Sequence, residues 1–382
     1  MNLIAFIFWL SVLLIFYSYA VYPAGLYIFQ RFTKTPDFIK SDDLPAISIL
    51  ISAYNEEAVI KGRIENIFNM DYPQDKIELI IATDGSDDKT NEIIESYQDR
   101  GVVLYAYKER RGKVNVLNET LPKAKNDIIV FSDANTMFIR STLKNLVRRF
   151  GDQRVGCVCG KVEFINADGS KTADLEGIYW RYETFLKRME GARGSLLGAN
   201  GAIYAIRKDL YVPPEPDTII DDFMIPMRIL EKGYAVIYAP EAAATEEAAK
   251  KIIQEKQRRI RIGAGDFQAL FRLKGMLNPL KGFSAFAFMS HKVLRWKCPF
   301  FMVGAFVSNV FFLDQPFYVF IFILQCAFYA SAFIGQALSW SDIHKQPFSI
   351  CYYFVSMNLA LFLGFIRFLT GSQKPAWERT QR

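Results

Sequence analysis

The chain has 382 residues, of which 51% are hydrophobic and 15% aromatic while 23% are charged, so the apolar residues must be gathered into separate stretches. A net charge of +6 makes no case for nucleic acid and suits a cytoplasmic membrane face. With only two histidines and five cysteines without zinc spacing, a histidine-based metal site or triad is nearly excluded, and any general base is expected to be a carboxylate in a reduced compartment.

Residues 3–29 carry no charge and are long enough to cross a bilayer. They lack the basic start and small-residue cleavage site of a signal peptide, so they read as an uncleaved membrane helix. Gln30-Arg31-Phe32-Thr33-Lys34 follows and assigns the downstream side to the cytoplasm. Next, strand patterns at 47–51, 77–82, 102–107 and 127–131 alternate with helical patterns at 56–70, 88–99 and 113–121. This alternation implies a parallel sheet with helices on both faces, and right-handed crossovers bring the strand C-termini to one edge, where ligands bind. Three polar clusters fall on that edge: Tyr54-Asn55-Glu56, Asp84-Gly85-Ser86 and Ser132-Asp133-Ala134-Asn135. Each alone is explained as a solvated turn. Acidic residues at three successive strand ends are not, and oxygen ligands such as Asp133 suit a hard divalent cation that in turn holds phosphates.

The middle of the chain is less regular. A strand is expected at 155–162 and a long helix at 174–190, followed by a glycine-rich loop, 194–202, before a strand at 203–206. The loop fits neither a Rossmann nor a P-loop order. Its glycines permit close approach of a flat ligand, and an ordinary irregular loop explains them equally well. The proline-rich turn at 213–216 delivers Asp221 and Asp222 at the start of a helical pattern. They either cap that helix and suit its dipole, or one of them is a catalytic base in a partly apolar setting. Residues 246–261 read as a charged helix ending in Gln257-Arg258-Arg259-Ile260-Arg261, with a solvated face, anionic lipid and a diphosphate all open as explanations. Residues 283–296 read as a helix in the membrane interface. Apolar segments at 299–313, 316–338 and 348–369 close the chain. Three crossings would leave the end outside, whereas the basic tail 374–382 favours the inside, so one segment is expected not to cross fully.

Taken together, Ile49-Leu50-Ile51-Ser52-Ala53-Tyr54-Asn55-Glu56, Asp84-Gly85-Ser86, Arg111-Gly112-Lys113, Ser132-Asp133-Ala134-Asn135, Gly198-Ala199-Asn200-Gly201 and Ile220-Asp221-Asp222 resemble, in order, the motifs of membrane-bound family 2 glycosyltransferases, the group of cellulose, chitin, hyaluronan and poly-N-acetylglucosamine synthases. The resemblance runs from about Ala46 to the C-terminus. It implies an α/β fold: a GT-A-type nucleotide-sugar-binding domain with a mostly parallel central sheet, flanked by transmembrane helices at both ends. The implied organisation is an N-terminal membrane helix (1–30), a cytoplasmic catalytic domain (31–265), an interfacial amphipathic region (266–297), membrane segments (298–371) and a basic tail (372–382).

The same resemblance implies roles. Asp222 would be the catalytic base, with Asp221, Gly198, Asn200 and Gly201 on the acceptor side. Tyr54, Glu56, Asp84, Lys113, Asp133 and Arg261 would bind the donor, Asp84 reading the uracil ring. Asp133 and Asn135 would hold Mg²⁺ or Mn²⁺, Asn135 being a neutral ligand where the family has a second carboxylate. The QxxRW signature departs from the pattern: with Arg261 as its Arg, Arg258 replaces Gln and Ile262 replaces Trp, which puts processivity in doubt. Trp377, Thr380 and Arg382 resemble a C-terminal gating segment. The implied function is inverting, metal-dependent transfer from a UDP-sugar to a polysaccharide acceptor by a multi-pass protein of a bacterial inner or plasma membrane, without nucleic acid. Transfer of one sugar to a lipid-linked carrier, and a catalytically silent nucleotide-sugar-binding protein, stay open as alternatives, as do a homo-oligomer and an export partner.

Overall fold

The computed structural model describes residues 3–165, 175–247, 252–339 and 345–373, with helical residues 175–180 and 252–255 described by backbone alone. The gating residues expected at Trp377, Thr380 and Arg382 lie outside the described residues. The chain divides into two compact units, one of Met1–Lys34, Ala173–Leu186 and Lys251–Gln373, the other of Thr35–Thr172 and Lys187–Lys250.

The N-terminal apolar run forms one rod, α1 (Leu3–Phe16) and α2 (Tyr22–Phe32), joined by a π-turn at Tyr17–Val21. At 30 residues, Leu3–Phe32 is long and apolar enough to cross a membrane. The α/β unit then begins with β1 (Ile47–Ala53), α3 (Ile60–Phe68), β2 (Ile77–Asp84), α4 (Thr90–Glu95), β3 (Val102–Tyr107), α5 (Lys113–Thr120) and β4 (Ile128–Asp133). It continues through β5 (Met137–Phe138), α6 (Thr142–Val147), β6 (Val155–Ile165), the C-terminal part of α7 (Leu175–Gly191), β7 (Tyr204–Arg207), α8 (Asp221–Glu231) and β8 (Ala235–Glu247). The helical unit resumes with α9 (Ile252–Arg272), α10 (Phe283–Ala287), α11 (Leu294–Trp296), α12 (Cys298–Val310), α13 (Pro316–Ser339) and α14 (Phe348–Leu369). α13 and α14 are also long and apolar enough to cross a membrane, whereas α12 is a shorter apolar helix.

The eight strands form one sheet in the order β3-β2-β1-β4-β7-β6-β8-β5. The four leading strands are mutually parallel, as the alternation predicts, and the isoleucine-rich runs of β1, β2 and β4 are buried on both faces, as a covered parallel sheet requires. Ile47, Ile49, Ile51, Leu79, Ile81 and Val130 pack with Ile60, Ile64 and Ile67 of α3, each fully buried aliphatic side chain contributing about 1.5–3 kcal/mol. Register places Ser52 beside Asp133 and Ala53 beside Thr83, so the expected polar edge exists.

Beyond β4 the sheet turns mixed, because β7 is antiparallel to both β4 and β6, and β5 is antiparallel to β8. One expectation is corrected here. The charged helix does not begin at residue 246: Glu246 and Glu247 extend β8 and pair with Phe164 and Ile165 of β6. Alanine-rich Ala242-Ala243-Ala244 has helical propensity, but ladder hydrogen bonds from two neighbouring strands override it. β6 shifts register between Cys159 and Lys161, at Gly160. A Cβ on Gly160 would lie 2.5 Å from Ile203 Cδ1 and 2.6 Å from the Ala242 carbonyl oxygen. Gly160→Ala is therefore expected to destabilise the unit by about 1–3 kcal/mol, read as a lowered Tm of the detergent-solubilised protein.

Candidate active site

The C-terminal edge of the parallel strands is built by reciprocal side-chain capping of backbone. Asn55 adopts φ 54°, a left-handed conformation that asparagine tolerates, and its N–H donates to Ser86 Oγ at 3.1 Å. Asp87 N–H donates to Asn55 Oδ1 at 3.0 Å, and Glu56 N–H to Thr90 Oγ1 at 2.8 Å. The loops after β1 and β2 are thus bound to each other, leaving Tyr54, Glu56 and Asp84 on one wall of a cleft. Ser52, Arg110, Gly112, Lys113, Asp133, Ala134 and Asn135 complete that cleft. Six of the residues expected to bind donor or metal, namely Tyr54, Glu56, Asp84, Lys113, Asp133 and Asn135, therefore share one cavity.

Asp84 is tied to the backbone of a neighbouring loop. Its buried carboxylate accepts Arg111 N–H at 2.6 Å through Oδ1 and Gly112 N–H at 2.9 Å through Oδ2. Gly112 needs φ 88°, and this tight turn starts α5 with Lys113 as its first residue. Both oxygens of Asp84 thus fix the loop that aims Lys113 into the cleft. Arg110 lies with its guanidinium carbon 4.0 Å over the Tyr54 ring.

Lys113 Nζ donates to Asp133 Oδ1 at 2.8 Å and lies 3.8 Å from Asp221 Oδ2. Burial alone would lower its pKa, but Asp133 and Asp221, aided by Asp222, hold it above the ordinary lysine range. Asp221 Oδ2 and the Tyr204 hydroxyl are buried without a hydrogen-bond partner among the described residues. Behind Asp133, the fully buried Arg63 donates to Ser132 Oγ at 2.9 Å and stands 4.0 Å over the Phe138 ring. Burial pushes the Arg63 guanidinium down to about 9, against the pull of Asp133 and Glu246.

Asp221 and Asp222 open α8, where acidic residues in the first turn suit the helix dipole, and Asp221 faces the cleft's lysine. Pro226 sits inside α8 and has no N–H for the Asp222 carbonyl four residues back. Ala199 N–H takes that carbonyl at 2.9 Å, and Gly201 N–H donates to Asp222 Oδ2 at 3.1 Å. The glycine loop is thereby docked on the first turn of α8. Gly198, Asn200, Gly201, Asp221 and Asp222 are brought together as expected. Arg261 lies on α9 in the helical unit.

Sequence reasoning missed Lys187. Its Nζ donates to Asn200 Oδ1 at 2.7 Å. Asn200 in turn donates through Nδ2 to Gly160 O at 3.1 Å and through its backbone N–H to Cys159 Sγ at 3.2 Å. Lys187 thus fixes the loop that fixes Asp222, and a lysine near the end of a long helix carries no signal of this in sequence.

Residues 48–211 match the family described as Glycosyl transferase family 2. "Probable glycosyltransferase YdaM" of Bacillus subtilis (strain 168) is 25% identical over 292 residues, covering 72% of this chain and 68% of that protein. "Poly-beta-1,6-N-acetyl-D-glucosamine synthase" of Staphylococcus aureus (strain COL) is 26% identical over 246 residues, 63% of this chain but only 58% of that relative, under two thirds of its length. Among solved structures, "Mannosyltransferase PcManGT from Pyrobaculum calidifontis in complex with GDP-Man and Mn2+" has a TM-score of 0.68 at 20% identity, covering 95% of this chain and 99% of that one. The fold is GT-A-like.

Lys187→Met is expected to lower kcat about tenfold, roughly 1.4 kcal/mol of transition-state stabilisation, with donor KM little changed. Lys187→Arg should recover part of the loss.

Proposed function

We propose, from the premise that residues 48–211 form a family 2 glycosyltransferase domain, that this glycosyltransferase moves a sugar from a UDP-sugar to an acceptor hydroxyl with inversion, at the cytoplasmic face of a membrane. The observation that carries the reading is Lys113, whose ammonium lies between the strand-end acid Asp133 and the helix-start acid Asp221. That contact supports a donor-phosphate region and a proton-accepting region set side by side in one cleft. Asp222 would take the acceptor's hydroxyl proton through a carboxyl that Gly201 N–H orients at 3.1 Å. Its setting at the start of α8, beside the Asp221–Lys113 pair, keeps negative charge compensated before substrate arrives. Lys113 and Arg110 would meet the donor's diphosphate, and Tyr54 and Glu56 would line its nucleoside end.

Asp133 and Asn135 supply one carboxylate and one neutral oxygen, and the described residues contain no group of three or more His, Cys, Asp or Glu that could hold an ion. This donor set fits Mg²⁺ or Mn²⁺ only when phosphate oxygens complete the coordination. Bound there with the donor, such an ion would neutralise charge growing on the leaving diphosphate. Calorimetry should find little Mn²⁺ binding to the protein alone and binding at least tenfold tighter with UDP present. Tight binding without nucleotide would contradict this division of ligands.

The polysaccharide synthase relative supports a polymeric, N-acetylhexosaminyl product. Ile262, where processive members have Trp, favours the second reading, transfer of one sugar to a lipid-linked carrier. Mass spectrometry of the product separates the two. Asp222→Asn should abolish transfer from a panel of radiolabelled UDP-sugars in membranes while UDP binding persists, and full retained transfer would reject Asp222 as the base.

A further inference from the structure

We propose that Asn118 is a positioning residue: its side-chain amide holds the segment that carries Asp221 and Asp222 at a fixed place relative to Lys113. The proposal rests on the reading of Asp222 as the base and adds to it what keeps that carboxyl in register with the cleft.

Residues 208–221 return along α5 in the opposite direction and are tied to it at three levels. Beyond the end of α5, Lys208 Nζ donates to Ala124 O at 2.5 Å and Lys208 N–H to Asp127 O at 2.8 Å. Midway, the Tyr211 hydroxyl donates to Asn118 Oδ1 at 2.6 Å, and Asn118 Nδ2 donates to Pro214 O at 2.8 Å. At the start of α5, Lys113 Nζ lies 3.8 Å from Asp221 Oδ2. That last contact exceeds hydrogen-bond length, so it attracts Asp221 without fixing its direction. The short bond of Lys113 goes to Asp133 instead, at 2.8 Å. The direction of the returning segment is therefore set at Asn118.

Asparagine suits this place for a chemical reason. A peptide carbonyl only accepts, so Pro214 O takes the amide nitrogen and leaves the amide oxygen for the Tyr211 hydroxyl. Aspartate would turn an oxygen toward the Pro214 carbonyl, and alanine would serve neither partner. The gripped segment is also stiff. Pro213, Pro214 and Pro216 fix three of the four φ angles of the turn. Thr218 N–H then closes on Glu215 O at 2.9 Å, and Thr218, Ile219 and Ile220 are buried. Ile220 is the N-cap of α8, and Asp221 and Asp222 follow at once. Two turns into α8, Arg228 Nη2 reaches back to within 3.7 Å of Glu215 Oε1. A shift at Pro214 is thus carried to the start of α8 rather than absorbed on the way. α5 itself is held at its first turn by the grip of Asp84 on Arg111 and Gly112 N–H. Loss of the Asn118 amide therefore moves Asp221 and Asp222, while Tyr54, Asp84 and Asp133 stay where the strand ends hold them.

The test uses the full chain in detergent. Asn118→Ala should lower kcat for sugar transfer about tenfold while donor KM and the Kd for UDP stay within about twofold. Asn118→Asp should behave as Asn118→Ala does. Tyr211→Phe keeps its ring and loses one hydroxyl, so it gives the same split, about threefold in kcat, should the alanine variant fail to fold. Asn118→Ala with Tyr211→Phe should lose no more than Asn118→Ala alone, because both act on one grip. Weaker UDP binding by Asn118→Ala would make the amide a ligand of the nucleotide and overturn the proposal, as would additive losses in the double variant. Hydrogen exchange keeps the proposal separate from the assignment of the base. Asn118→Ala should speed amide exchange across residues 218–224 and leave residues 47–53 unchanged. Unchanged exchange at the start of α8 overturns the proposal even with Asp222 established as the base. Faster exchange there supports the grip even if Asp222→Asn retains full transfer, an outcome that rejects only the base.

Discussion

A single ammonium group holds the candidate site together. Lys113 is delivered by the turn that Asp84 fixes, and it reaches Asp133 at the end of β4 and Asp221 at the start of α8. Those carboxylates come from parts of the chain nearly ninety residues apart. Without the lysine, Asp221 would be a buried charge lacking its counter-ion, a situation that costs about 3–5 kcal/mol. The same arrangement explains how acidic groups from separate elements stay together: a protein cation occupies the centre of their negative charge.

The second half of the site depends on a missing hydrogen bond. Pro226 leaves the Asp222 carbonyl without a helical partner, and Ala199 N–H fills the gap. A proline inside a helix ordinarily costs about 3 kcal/mol. Here its cost is offset by a docking point for a loop that must approach backbone to backbone. Gly198 needs φ 87° and would otherwise drive a Cβ into Phe223 at 2.5 Å, and Gly201 lets its N–H reach the Asp222 carboxylate. Lys187 and Asn200 hold the loop's other side. The carboxyl is thus oriented by backbone, which is stiffer than a side chain.

The strand-end half of this site was readable in sequence because buried parallel strands write themselves as uninterrupted apolar runs, and the first polar residue after each run marks the edge. Tyr54, Asp84 and Asp133 were found that way. The half built from the glycine loop and the start of α8 was less legible. An Ala-rich strand, β8, looks helical until its neighbours are known, and Lys187 is an ordinary helical lysine until Asn200 is placed against it. The grip of the Asp84 carboxylate on two backbone N–H groups carries no signal in the sequence. Even Arg63, behind Asp133, reads as a solvated helix residue, although it is wholly buried.

The departures from a parallel sheet are what bring the two halves into one cleft. β7 pairs antiparallel with β4, with Tyr204 opposite Phe131 and Arg207 opposite Ile128. The residues that precede β7 therefore arrive at the end of β4 that carries Asp133, and those residues are the glycine loop. A parallel β7 would have delivered Gly198–Gly201 to the far edge of the sheet, some six residues of strand, or roughly 20 Å, from Asp133. Tyr204 stacks on Phe131 at 4.5 Å, which pins this register at its most consequential point. A one-residue slip would turn Tyr204 to the opposite face and carry the loop with it. Strand direction at one position thus decides whether Asp133 and the loop docked on Asp222 lie at the same edge of the sheet.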